Sequence, residues 1–587
     1  MVIIDIEVYR DYFALGALNL KTGNTKFFEM FDGQPLDLSF REFFRRTTTI
    51  SFNGLNFDLP VLVHALGNAS CADLKAMSDD IIVNNRKAWQ LGIEIPKRWD
   101  HIDLIELAPG QNSLKTYGGR LHAEKLQDLP YAPESLIETA ERRKIVRDYC
   151  AKDLQTTALL YETLKPQIAL RKQMSDQYGV DLRSKSDAQI AEAVIRHELT
   201  RMSDADIPKP KVRMNATYRY LDPEIITFKD SGLQSVFERI LGHQFGLSGN
   251  GSIALPDWLA QTKIKIGGRD YQMGIGGLHS CEKKQYVEAN SDYLLADFDV
   301  ASYYPSIILQ QKLAPKSLGK NFLTVFQTIV ERRLNAKKIG DKVTADTLKI
   351  TVNGTFGKLG SKYSFLYSPD LLVQTTITGQ LALLMLIERM HDAGIQAVSA
   401  NTDGVVLRCP RSLERKMEEV AWTWMLDTSY ELERTDYRAV ASRDVNNYLA
   451  IKTDGKAKGK GVFAAAGLAK NPDRLIVYEA AAKRIMHGTP YQDTIRNCRD
   501  IRQFVTLRRV TGGAVWEGEP IGKVVRFYYS TSVPSMTAIR YAKNGNMVPN
   551  SQGTKPLMDL PEAFPSDVDY RVYEEDTERL LCEVGYL

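Results

Sequence analysis

The sequence has few cysteines. Only six occur among 587 residues, they lie far apart along the chain, and no two form a C-x-x-C pair. A zinc site or a disulfide scaffold is therefore not expected. The composition suits a reducing compartment such as the cytoplasm.

The sequence also lacks a strong charge of one sign. It carries 76 Lys and Arg against 72 Asp and Glu, a net charge of +4, which neither indicates nor excludes a nucleic-acid partner. No apolar run approaches transmembrane length and the chain starts directly in a predicted strand, so neither membrane association nor a signal peptide is expected. The length predicts about three to five domains.

The most informative stretch is residues 294–309 (LLADFDVASYYPSIIL). An apolar run that carries Asp297 reaches Asp299, and Pro305 follows where the start of a helix tolerates proline. This pattern predicts a buried strand that delivers a carboxylate to its end, followed by a helix. Such a carboxylate either holds a metal ion or caps the helix, and the pattern alone does not decide between the two.

Two later segments have equally distinct patterns. Residues 396–407 (QAVSANTDGVVL) place Asp-Gly between two apolar arms. This predicts a β-hairpin, although a plain surface turn is the alternative. Between them, residues 349–357 (KITVNGTFG) place Lys349, Asn353 and Phe356 on one face of a predicted helix.

Together these segments resemble motifs A, B and C of the family B DNA polymerases, in that order. The matches are D-x-x-S-x-Y-P-S at residues 299–306, K-x-x-x-N-x-x-(F/Y)-G at 349–357 and T-D at 402–403. The resemblance implies a DNA-directed DNA polymerase that binds primer-template DNA and dNTPs. It would extend the primer 3′-hydroxyl by two-metal nucleotidyl transfer.

The resemblance also implies a metal site. Asp299 and Asp403, with the carbonyl oxygen of Val300, would hold two Mg²⁺ ions, with Mn²⁺ as an alternative, because oxygen ligands suit both ions. One position departs from the family, since Asn401 stands where motif C usually has Asp. An amide keeps a carbonyl oxygen but no charge, and we expect activity to survive.

A nucleotide pocket follows from the same resemblance. The residues expected to bind the nucleotide are Tyr304, Arg333, Lys337, Lys349 and Asn353, with Phe356 lining the pocket. Tyr304 would lie under the sugar and exclude a 2′-hydroxyl, so dNTPs are the expected substrates. Arg333 and Lys337 lie one turn apart in a basic segment. A solvated helix face is the alternative, and Arg332 replaces Arg333 if the register is shifted by one residue.

The N-terminal third carries a second set of candidate site residues, contributed by three segments. Its members are Asp5, Glu7, Asp58, Tyr149 and Asp153. Alternation along a predicted strand puts Asp5 and Glu7 on the same face, and Tyr149 and Asp153 lie one helical turn apart. Capping or surface charge is the alternative for each residue, but acidic residues in an otherwise apolar strand fit that alternative poorly.

The patterns D-I-E, N-x-x-x-F-D and Y-x-x-x-D resemble the Exo I, II and III motifs of DEDDy 3′–5′ exonucleases, which accompany family B polymerases as proofreading domains. The resemblance implies that the four carboxylates hold metal ions and that Tyr149 orients the attacking water. Asn53 and Phe57 would grip the unpaired primer end, Phe57 by stacking on a base. Lys125 lies where such enzymes often have a catalytic lysine.

Further residues are expected to contact DNA. They are Ser113, Leu114, Gly276, Gly277, Tyr448, Lys458 and Lys460. By resemblance, the first two meet single-stranded ends, the glycines meet the template, and the last three hold the primer duplex. Ser113 has helix N-capping as its alternative, and the lysines have a solvated edge strand as theirs. The glycine segment departs from the family, since Gly274 occupies its tyrosine position.

The expected fold is α/β and multidomain, with an RNase H-like exonuclease domain and a right-hand palm, fingers and thumb. The expected domains are the exonuclease at 1–180, a connecting region at 181–265, the palm at 266–320 and 379–440, the fingers at 321–378, and the thumb and C-terminal region at 441–587.

The short spacing between the motifs leaves little room for the insertions of protein-primed phage polymerases. We therefore expect a minimal phage-like polymerase with proofreading, primed by nucleic acid and monomeric, in the cytoplasm of a host cell. A helicase or a single-strand-binding protein is a candidate partner. Three alternatives stay open: a protein-primed polymerase that needs a terminal protein, an exonuclease with a decayed polymerase site, and a non-enzymatic DNA-binding scaffold.

Overall fold

The computed structural model describes residues 1–203, 207–213 and 215–587, and these form a mixed α/β structure, as predicted. The α-helices are α1 (Arg41–Arg46), α2 (Asp58–Ala65), α3 (Cys71–Ile82), α4 (Leu114–Arg120), α5 (Ala140–Tyr178), α6 (Asp187–Ser203), α7 (Ser231–Gly242), α8 (Asp257–Gln261), α9 (Tyr303–Gln310), α10 (Gly319–Ile339), α11 (Lys342–Leu359), α12 (Pro369–Asp392), α13 (Glu414–Thr428), α14 (Leu475–His487), α15 (Tyr491–Asn497) and α16 (Tyr570–Glu583).

The described β-strands are β1 (Val2–Val8), β2 (Phe13–Asn19), β3 (Thr25–Met30), β4 (Thr49–Ser51), β5 (His101–Asp103), β6 (Thr217–Arg219), β7 (Gln244–Gly246), β8 (Ile264–Ile266), β9 (Arg269–Gly274), β10 (Gly277–Ser280), β11 (Gln285–Glu288), β12 (Tyr293–Val300), β13 (Gln396–Ala400), β14 (Gly404–Pro410), β15 (Leu432–Asp444), β16 (Asn447–Lys452), β17 (Ala457–Lys460), β18 (Thr506–Trp516), β19 (Glu519–Tyr529), β20 (Arg540–Tyr541) and β21 (Thr554–Pro556). Of these strands, β15 has 13 residues and β18 and β19 have 11 each, while the others have eight or fewer.

The chain folds as two compact units, and its C-terminal part contributes to both. The first unit comprises Met1–Ser186, Ala466–Val477 and Thr494–Glu574, and the second comprises Asp187–Ala465, Tyr478–Asp493 and Glu575–Leu587. The predicted domain boundaries divide the chain by function and stay a prediction. The compact units divide the C-terminal region differently, because residues 466–477 and 494–574, expected with the thumb, fold with the N-terminal residues.

The main sheet of the first unit has the order β3-β2-β1-β4-β5. Strands β1, β2 and β3 are antiparallel neighbours, whereas β1, β4 and β5 are parallel. Alternation along β1 separates two sides of the sheet. Ile4 and Ile6 pack with α2, whereas Ile3 packs with Cys150 and Leu154 of α5. The acidic residues of β1 therefore lie on the side of α5.

The second unit is built around a seven-stranded sheet. Its order is β13-β14-β12-β15-β16-β17, and β11 pairs with β15. Strand β12 is antiparallel to both of its neighbours, β14 and β15. A largely apolar strand such as β12 suits this central position, because both of its faces are covered.

Helix α12 corrects one prediction from the sequence. No apolar run was expected to approach transmembrane length, yet Pro369–Asp392 is long and apolar enough to cross a membrane. In the second unit, 89% of its most apolar stretch is buried, and the indole N–H of Trp424 donates to the Ala382 carbonyl (2.9 Å). These contacts are those of a core helix in a large hydrophobic core.

A buried arginine links the C-terminal sheet of the first unit, of order β20-β18-β19-β21, to the N-terminal residues. Arg526 is fully buried and donates hydrogen bonds to the carbonyls of Leu557 (2.8 Å), Ala123 (3.1 Å) and Met558 (3.3 Å). Its guanidinium therefore satisfies three carbonyls from segments about 400 residues apart in sequence, as the fork of donors on arginine allows.

Replacing this arginine tests the link. Arg526→Met should lower the free energy of unfolding of the first unit by about 3 kcal/mol, because the three carbonyls lose their donor. Lys523→Met, at an exposed position of the same strand, should change it by less than about 0.5 kcal/mol. Urea unfolding followed by circular dichroism measures both, and equal midpoints for the two variants would contradict the role given to Arg526.

Candidate active sites

The first candidate site lies on β1. Asp5 and Glu7 share the side of the strand that faces α5, and Glu7 is only 7% exposed. Within the described residues, the Glu7 carboxylate accepts no hydrogen bond and forms no ion pair. A carboxyl group held this way at the centre of a sheet either stays protonated or is stabilised as a carboxylate by a positive charge that enters the site.

The structure brings the other predicted residues to the same place. Asp58, 3% exposed, opens α2, while Tyr149 and Asp153 lie one turn apart on α5. The negative charges of Asp58, Glu7 and Asp153 each act on Asp5, and the Tyr149 hydroxyl lies close enough to Asp153 to lower the pKa of its carboxylate. Three distant segments thus converge on one cluster.

The cluster carries uncompensated negative charge. Desolvation, followed by the nearby acidic groups, raises the pKa of Asp5 and that of Glu7 well above their ordinary ranges. Desolvation also raises the pKa of Asp58 to about 7 and that of Asp153 to about 6. Carboxylates that repel each other in this way fit a divalent cation, which would relieve the repulsion and accept their oxygens as ligands.

Cys150 is a residue of this site that the sequence analysis missed. Its thiol sulfur lies 3.7 Å from a carboxylate oxygen of Asp5, and ligand atoms of Asp5, Glu7 and Cys150 all lie within 4.8 Å of one another. Desolvation raises the pKa of the thiol well above its ordinary range, so it stays protonated. In the sequence, only its position next to Tyr149 indicated that Cys150 could belong to the site.

Asp103 was also missed, although it shapes the segment before α2. Its carboxylate accepts hydrogen bonds from the backbone N–H groups of Asn53 (2.7 Å), Leu55 (2.9 Å) and Ile105 (3.1 Å). Asn53 has a φ of 68°, a left-handed conformation that asparagine tolerates. Asp103 therefore fixes the turn that leads to Asp58, and an acidic residue at the end of the apolar segment 101–104 was its signal in the sequence.

The cation nearest this site is Lys115. Its ammonium lies 5.3 Å from the centre of the Tyr149 ring, and its charge lowers the pKa of both Glu7 and Asp153. Lys125, the lysine suggested by the resemblance, instead pairs with Asp559 at 3.9 Å. Lys115 was not predicted from the sequence, because only the packing of strand and helix shows which of Lys115 and Lys125 lies near the carboxylates.

The predicted contacts to single-stranded DNA have structural roles in this unit. Ser113 caps α4 by accepting a hydrogen bond from the Thr116 N–H (3.3 Å), which was the alternative for this residue. Leu114 packs against the core on the α5 side of the sheet, and Phe57 packs partly against the core on the α2 side. Contact of these residues with DNA stays a prediction.

The second candidate site lies where β12 ends and β14 begins. Asp299 is paired in register with Gly404, and the Val300 N–H donates to the Asp403 carbonyl (2.7 Å). The two predicted metal-binding carboxylates, Asp299 and Asp403, therefore lie side by side at one end of the central strands. The hairpin predicted at residues 401–404 forms this juxtaposition.

Two residues of the hairpin turn explain how it departs from the family pattern. The side-chain oxygen of Asn401 accepts hydrogen bonds from the N–H groups of Asp403 (3.1 Å) and Gly404 (3.0 Å), so Asn401 closes the turn. A β-carbon at Gly404 would collide with the Asp299 carboxylate and lie 2.9 Å from the Phe298 carbonyl. Glycine therefore allows the close approach of the two strands.

A third carboxylate and a lysine lie beside Asp299. Desolvation, followed by the charge of Asp297, raises the pKa of Asp299 to about 6. Lys458 lies 3.6 Å from the carboxylates of both Asp297 and Asp299. The sequence analysis noted Asp297 without assigning it to the site and assigned Lys458 to DNA. The exposed Asp403 and the half-buried Asp299 offer oxygen ligands that fit a divalent cation.

The residues predicted to bind the nucleotide also gather here. The ring of Tyr304 stacks on Phe356 with centroids 4.1 Å apart, and the Tyr304 hydroxyl donates to the Gly276 carbonyl (3.0 Å). On α11, Lys349 and Asn353 are exposed on the face that carries Phe356. The aromatic pair and the exposed polar groups thus face one space.

The helix α10 contributes two cations. Arg333 donates to the Ser302 hydroxyl (2.8 Å), and Lys337 pairs with Glu433 (3.2 Å), which is the register partner of Asp299. Arg332 instead pairs with Glu198 at 3.7 Å. Of the two registers considered, the structure therefore directs Arg333 toward the end of β12.

The remaining predicted DNA contacts lie on two flanking segments. Gly277 has a φ of 137°, and a β-carbon there would lie 2.7 Å from the Thr402 side chain, so this glycine packs against the hairpin turn. Gly276 is exposed, and its carbonyl accepts hydrogen bonds from the hydroxyls of Tyr304 (3.0 Å) and Thr402 (3.4 Å). Tyr448 and Lys460 are direct cross-strand partners on β16 and β17. Whether these residues contact DNA stays a prediction.

Comparison with known proteins finds relatives among archaeal polymerases. The chain is 28% identical to DNA polymerase 1 of Saccharolobus solfataricus over 124 residues, which are 21% of this chain and 14% of that protein. It is 25% identical to DNA polymerase 1 of Sulfurisphaera ohwakuensis over 187 residues, 31% of this chain and 19% of that protein. The chain therefore spans less than one fifth of the length of either relative.

Among solved structures, the family B DNA polymerase of the hyperthermophilic archaeon Pyrobaculum calidifontis aligns with a TM-score of 0.41 and 13% identity. The alignment covers 100% of this chain and 78% of that one. No protein-family model matches the chain.

The carboxylates of the first unit predict a pH dependence. The pKa of Asp58 is about 7 in the folded protein and about 3.9 in an unfolded chain, so the folded state holds the extra proton. Its stabilising contribution is therefore complete below about pH 4 and is lost as the pH rises through 7. In EDTA, the melting temperature should fall between about pH 5 and about pH 8 more steeply for the wild type than for Asp58→Asn.

Differential scanning fluorimetry measures this difference. Mg²⁺ or Mn²⁺ should raise the melting temperature more at the higher pH, because the ligands must first lose their protons. Asp148→Asn, at an exposed position of α5, should keep the wild-type slope. Equal slopes for the wild type and Asp58→Asn would show that Asp58 does not hold the extra proton.

Proposed function

We propose that this chain, whose predicted resemblance to DNA polymerases is confirmed by its archaeal relatives, is a family B DNA-directed DNA polymerase with a 3′–5′ proofreading exonuclease. The observation that carries the proposal is the convergence of motifs A, B and C, which are separated in sequence, on one site at the end of β12. The order β3-β2-β1-β4-β5 around a carboxylate-bearing central strand agrees with the expected RNase H-like exonuclease.

In the polymerase site, Asp299 and Asp403, with the Val300 carbonyl by resemblance, would hold divalent ions, Mg²⁺ or Mn²⁺. When bound, such ions neutralise charge on the transferring phosphoryl group and activate the attacking oxygen. The primer 3′-hydroxyl attacks the α-phosphate of the dNTP and pyrophosphate leaves. The chain itself positions these groups, since the register of β12 and β14 fixes both carboxylates at one point.

The incoming nucleotide would be bound by cations and an aromatic surface. Lys349 on α11 and Arg333 on α10 would provide the positive charges that a triphosphate requires. Lys337 lies one turn after Arg333 on α10 and would add a third. The ring of Tyr304 is held by Phe356 and by its hydrogen bond to Gly276, and by resemblance it would exclude a 2′-hydroxyl. Asn353 lies one turn from Phe356 and completes the pocket.

In the exonuclease site, Asp5, Glu7, Asp58 and Asp153 would hold divalent ions that activate water. Desolvation, followed by the charges of neighbouring acidic groups, raises the pKa of Tyr149 well above its ordinary value, so its hydroxyl stays protonated and is available as a hydrogen-bond donor. Tyr149 would therefore orient the attacking water. The frayed primer end would be held by the segment of Asn53 and Phe57, which Asp103 fixes, and by Ser113 and Leu114 near the start of α4.

DNA would reach the polymerase site along basic and backbone surfaces. Lys460 and Tyr448 lie side by side on neighbouring strands, and a lysine next to a tyrosine suits a phosphate of the primer. Gly276 is exposed next to Tyr304 and leaves its backbone open to the template. Lys458 lies beside Asp299, within the site itself.

Three other functions fit the site less well. A protein-primed polymerase would need insertions in the palm and fingers, but Lys349 follows Asp299 by only 50 positions and Asp403 follows Asn353 by the same number. An exonuclease with a decayed polymerase site is suggested only by Asn401, which closes the turn and leaves Asp403 in place. A non-enzymatic scaffold would not require two clusters of carboxylates.

We propose a monomer that acts in the cytoplasm, with a helicase or single-strand-binding protein as a partner.

Two alanine variants test the proposal. On a labelled primer-template with Mg²⁺ and dNTPs, Asp403→Ala should lower extension on the order of 10² to 10³-fold and leave degradation intact, since electrostatic groups at the reacting centre contribute that much. Asp5→Ala should do the reverse. A wild type that degrades but never extends, even after a candidate terminal protein is added, would exclude the polymerase.

The closing role of Asn401 gives a second test. Asn401→Ala removes the acceptor for two backbone N–H groups and should lower extension about 10 to 100-fold, the range for residues that orient a metal ligand. Asn401→Asp keeps an acceptor and should extend primers within about threefold of the wild-type rate. Full activity of the alanine variant would show that the turn does not need this side chain.

A further inference from the structure

Asp297 is a buried carboxylate that the proposed mechanism does not use. It lies two residues before Asp299 on β12, so both side chains point to the same face of the strand. Asp297 is 5% exposed, and the Tyr437 hydroxyl on β15 donates a hydrogen bond to it (2.6 Å). Because an isolated buried carboxylate is costly, a fixed position with a hydrogen bond and a cation indicates a specific role.

That cation is Lys458 on β17. Its ammonium lies 3.6 Å from a carboxylate oxygen of Asp297 and 3.6 Å from one of Asp299, and its side chain is 42% exposed. The neighbouring lysine, Lys456, is exposed and pairs with Asp454 in the turn before β17 (3.1 Å). Of these two lysines, only Lys458 reaches the carboxylates of β12.

The charges at the end of β12 explain why a lysine belongs there. Asp297, Asp299 and Asp403 contribute three carboxylates, while Asn401 contributes none and uses its oxygen to close the turn. Lys458 is the cation that contacts two of these carboxylates, at 3.6 Å from Asp297 and 3.6 Å from Asp299. The ammonium therefore lies where it offsets the repulsion that a metal ion would otherwise have to relieve.

We propose that Asp297 and Lys458 are positioning residues of the nucleotidyl-transfer site: Asp297, held by Tyr437, anchors the Lys458 ammonium against Asp299, and this resident cation sets how tightly Asp299 and Asp403 bind a divalent ion. The inference rests on the proposed polymerase function of the site. Lys458 is then part of the metal site rather than a simple phosphate contact.

The proposal predicts opposite effects for the two partners. Removing Lys458 removes a positive charge next to the ion, so binding should tighten. Neutralising Asp297 removes a negative charge and leaves Lys458 to pair with Asp299 alone, so binding should weaken. Because Lys458 is partly exposed to solvent, each change should be about tenfold, which corresponds to a screened interaction between charges a few ångströms apart. A role limited to packing would not give opposite signs.

The experiment measures Mn²⁺ binding by electron paramagnetic resonance of the free ion. All variants carry Asp5→Asn and Asp153→Asn, so that the first site contributes little binding. In this background, Lys458→Met should bind Mn²⁺ about tenfold more tightly and Asp297→Asn about tenfold more weakly. Lys458→Arg restores the charge and should stay within about threefold of the background.

Lys456→Met is the matched control, because it removes a lysine of the same segment that does not touch the carboxylates, and it should leave the affinity unchanged. Unchanged or weaker binding in Lys458→Met would overturn the proposal, and so would a Lys458→Arg variant that behaves like Lys458→Met. Circular dichroism and thermal melting identify a variant that fails to fold. If Asp297→Asn does so, the two Lys458 variants still decide.

Primer extension by the same proteins distinguishes failure of the resident cation from failure of the proposed polymerase function. Mn²⁺ affinities that shift as expected in a protein that never extends a primer would uphold the resident cation and reject the proposed polymerase function. Extension by the wild type with identical Mn²⁺ affinity in Lys458→Met would reject the resident cation and uphold the polymerase.

Discussion

Repulsion between carboxylates held close together is the constraint on which both candidate sites depend. In the first unit, desolvation and neighbouring acidic groups raise the pKa of Asp5 and Glu7, and in the second unit they raise that of Asp299. Such clusters lower the stability of the metal-free protein. Their persistence in a folded chain is typical of functional sites, where stability is given up for chemistry.

Each cluster is held together by a central strand and by backbone contacts around it. Strands β1 and β12 have neighbours on both sides, so their side chains alternate between apolar packing and the site. The approach of the remaining acidic residues depends on turns that polar side chains fix, Asp103 in the first unit and Asn401 in the second. The positions of the proposed metal-binding residues therefore depend on these turns.

The two sites balance their negative charge differently. In the second unit, Lys458 pairs directly with two carboxylates, whereas in the first unit Lys115 acts on Glu7 and Asp153 through its charge without forming an ion pair with either. A direct ion pair both offsets repulsion and competes with an entering cation. The polymerase site would thus have a cation of its own before any ion binds, and the exonuclease site would depend more on the ion.

The sequence by itself determined what depends on local pattern. Alternation placed Asp5 and Glu7 on one face of β1, the Asp-Gly pair predicted the hairpin at residues 401–404, and helical spacing put Lys349, Asn353 and Phe356 on one face of α11. These signals extend over a few residues, and the backbone geometry of strands, turns and helices converts them directly into side-chain positions.

Only the tertiary structure decided which distant residues meet. The contact of Lys458 with Asp297 joins residues about 160 positions apart, and it requires β17 to end the sheet that contains β12. The burial of α12, which was missed as an apolar helix, and the return of residues 494–574 to the first unit also depend on packing between distant segments. Charge and hydrophobicity are properties of single residues, but their partners are set by the order of strands and helices in space.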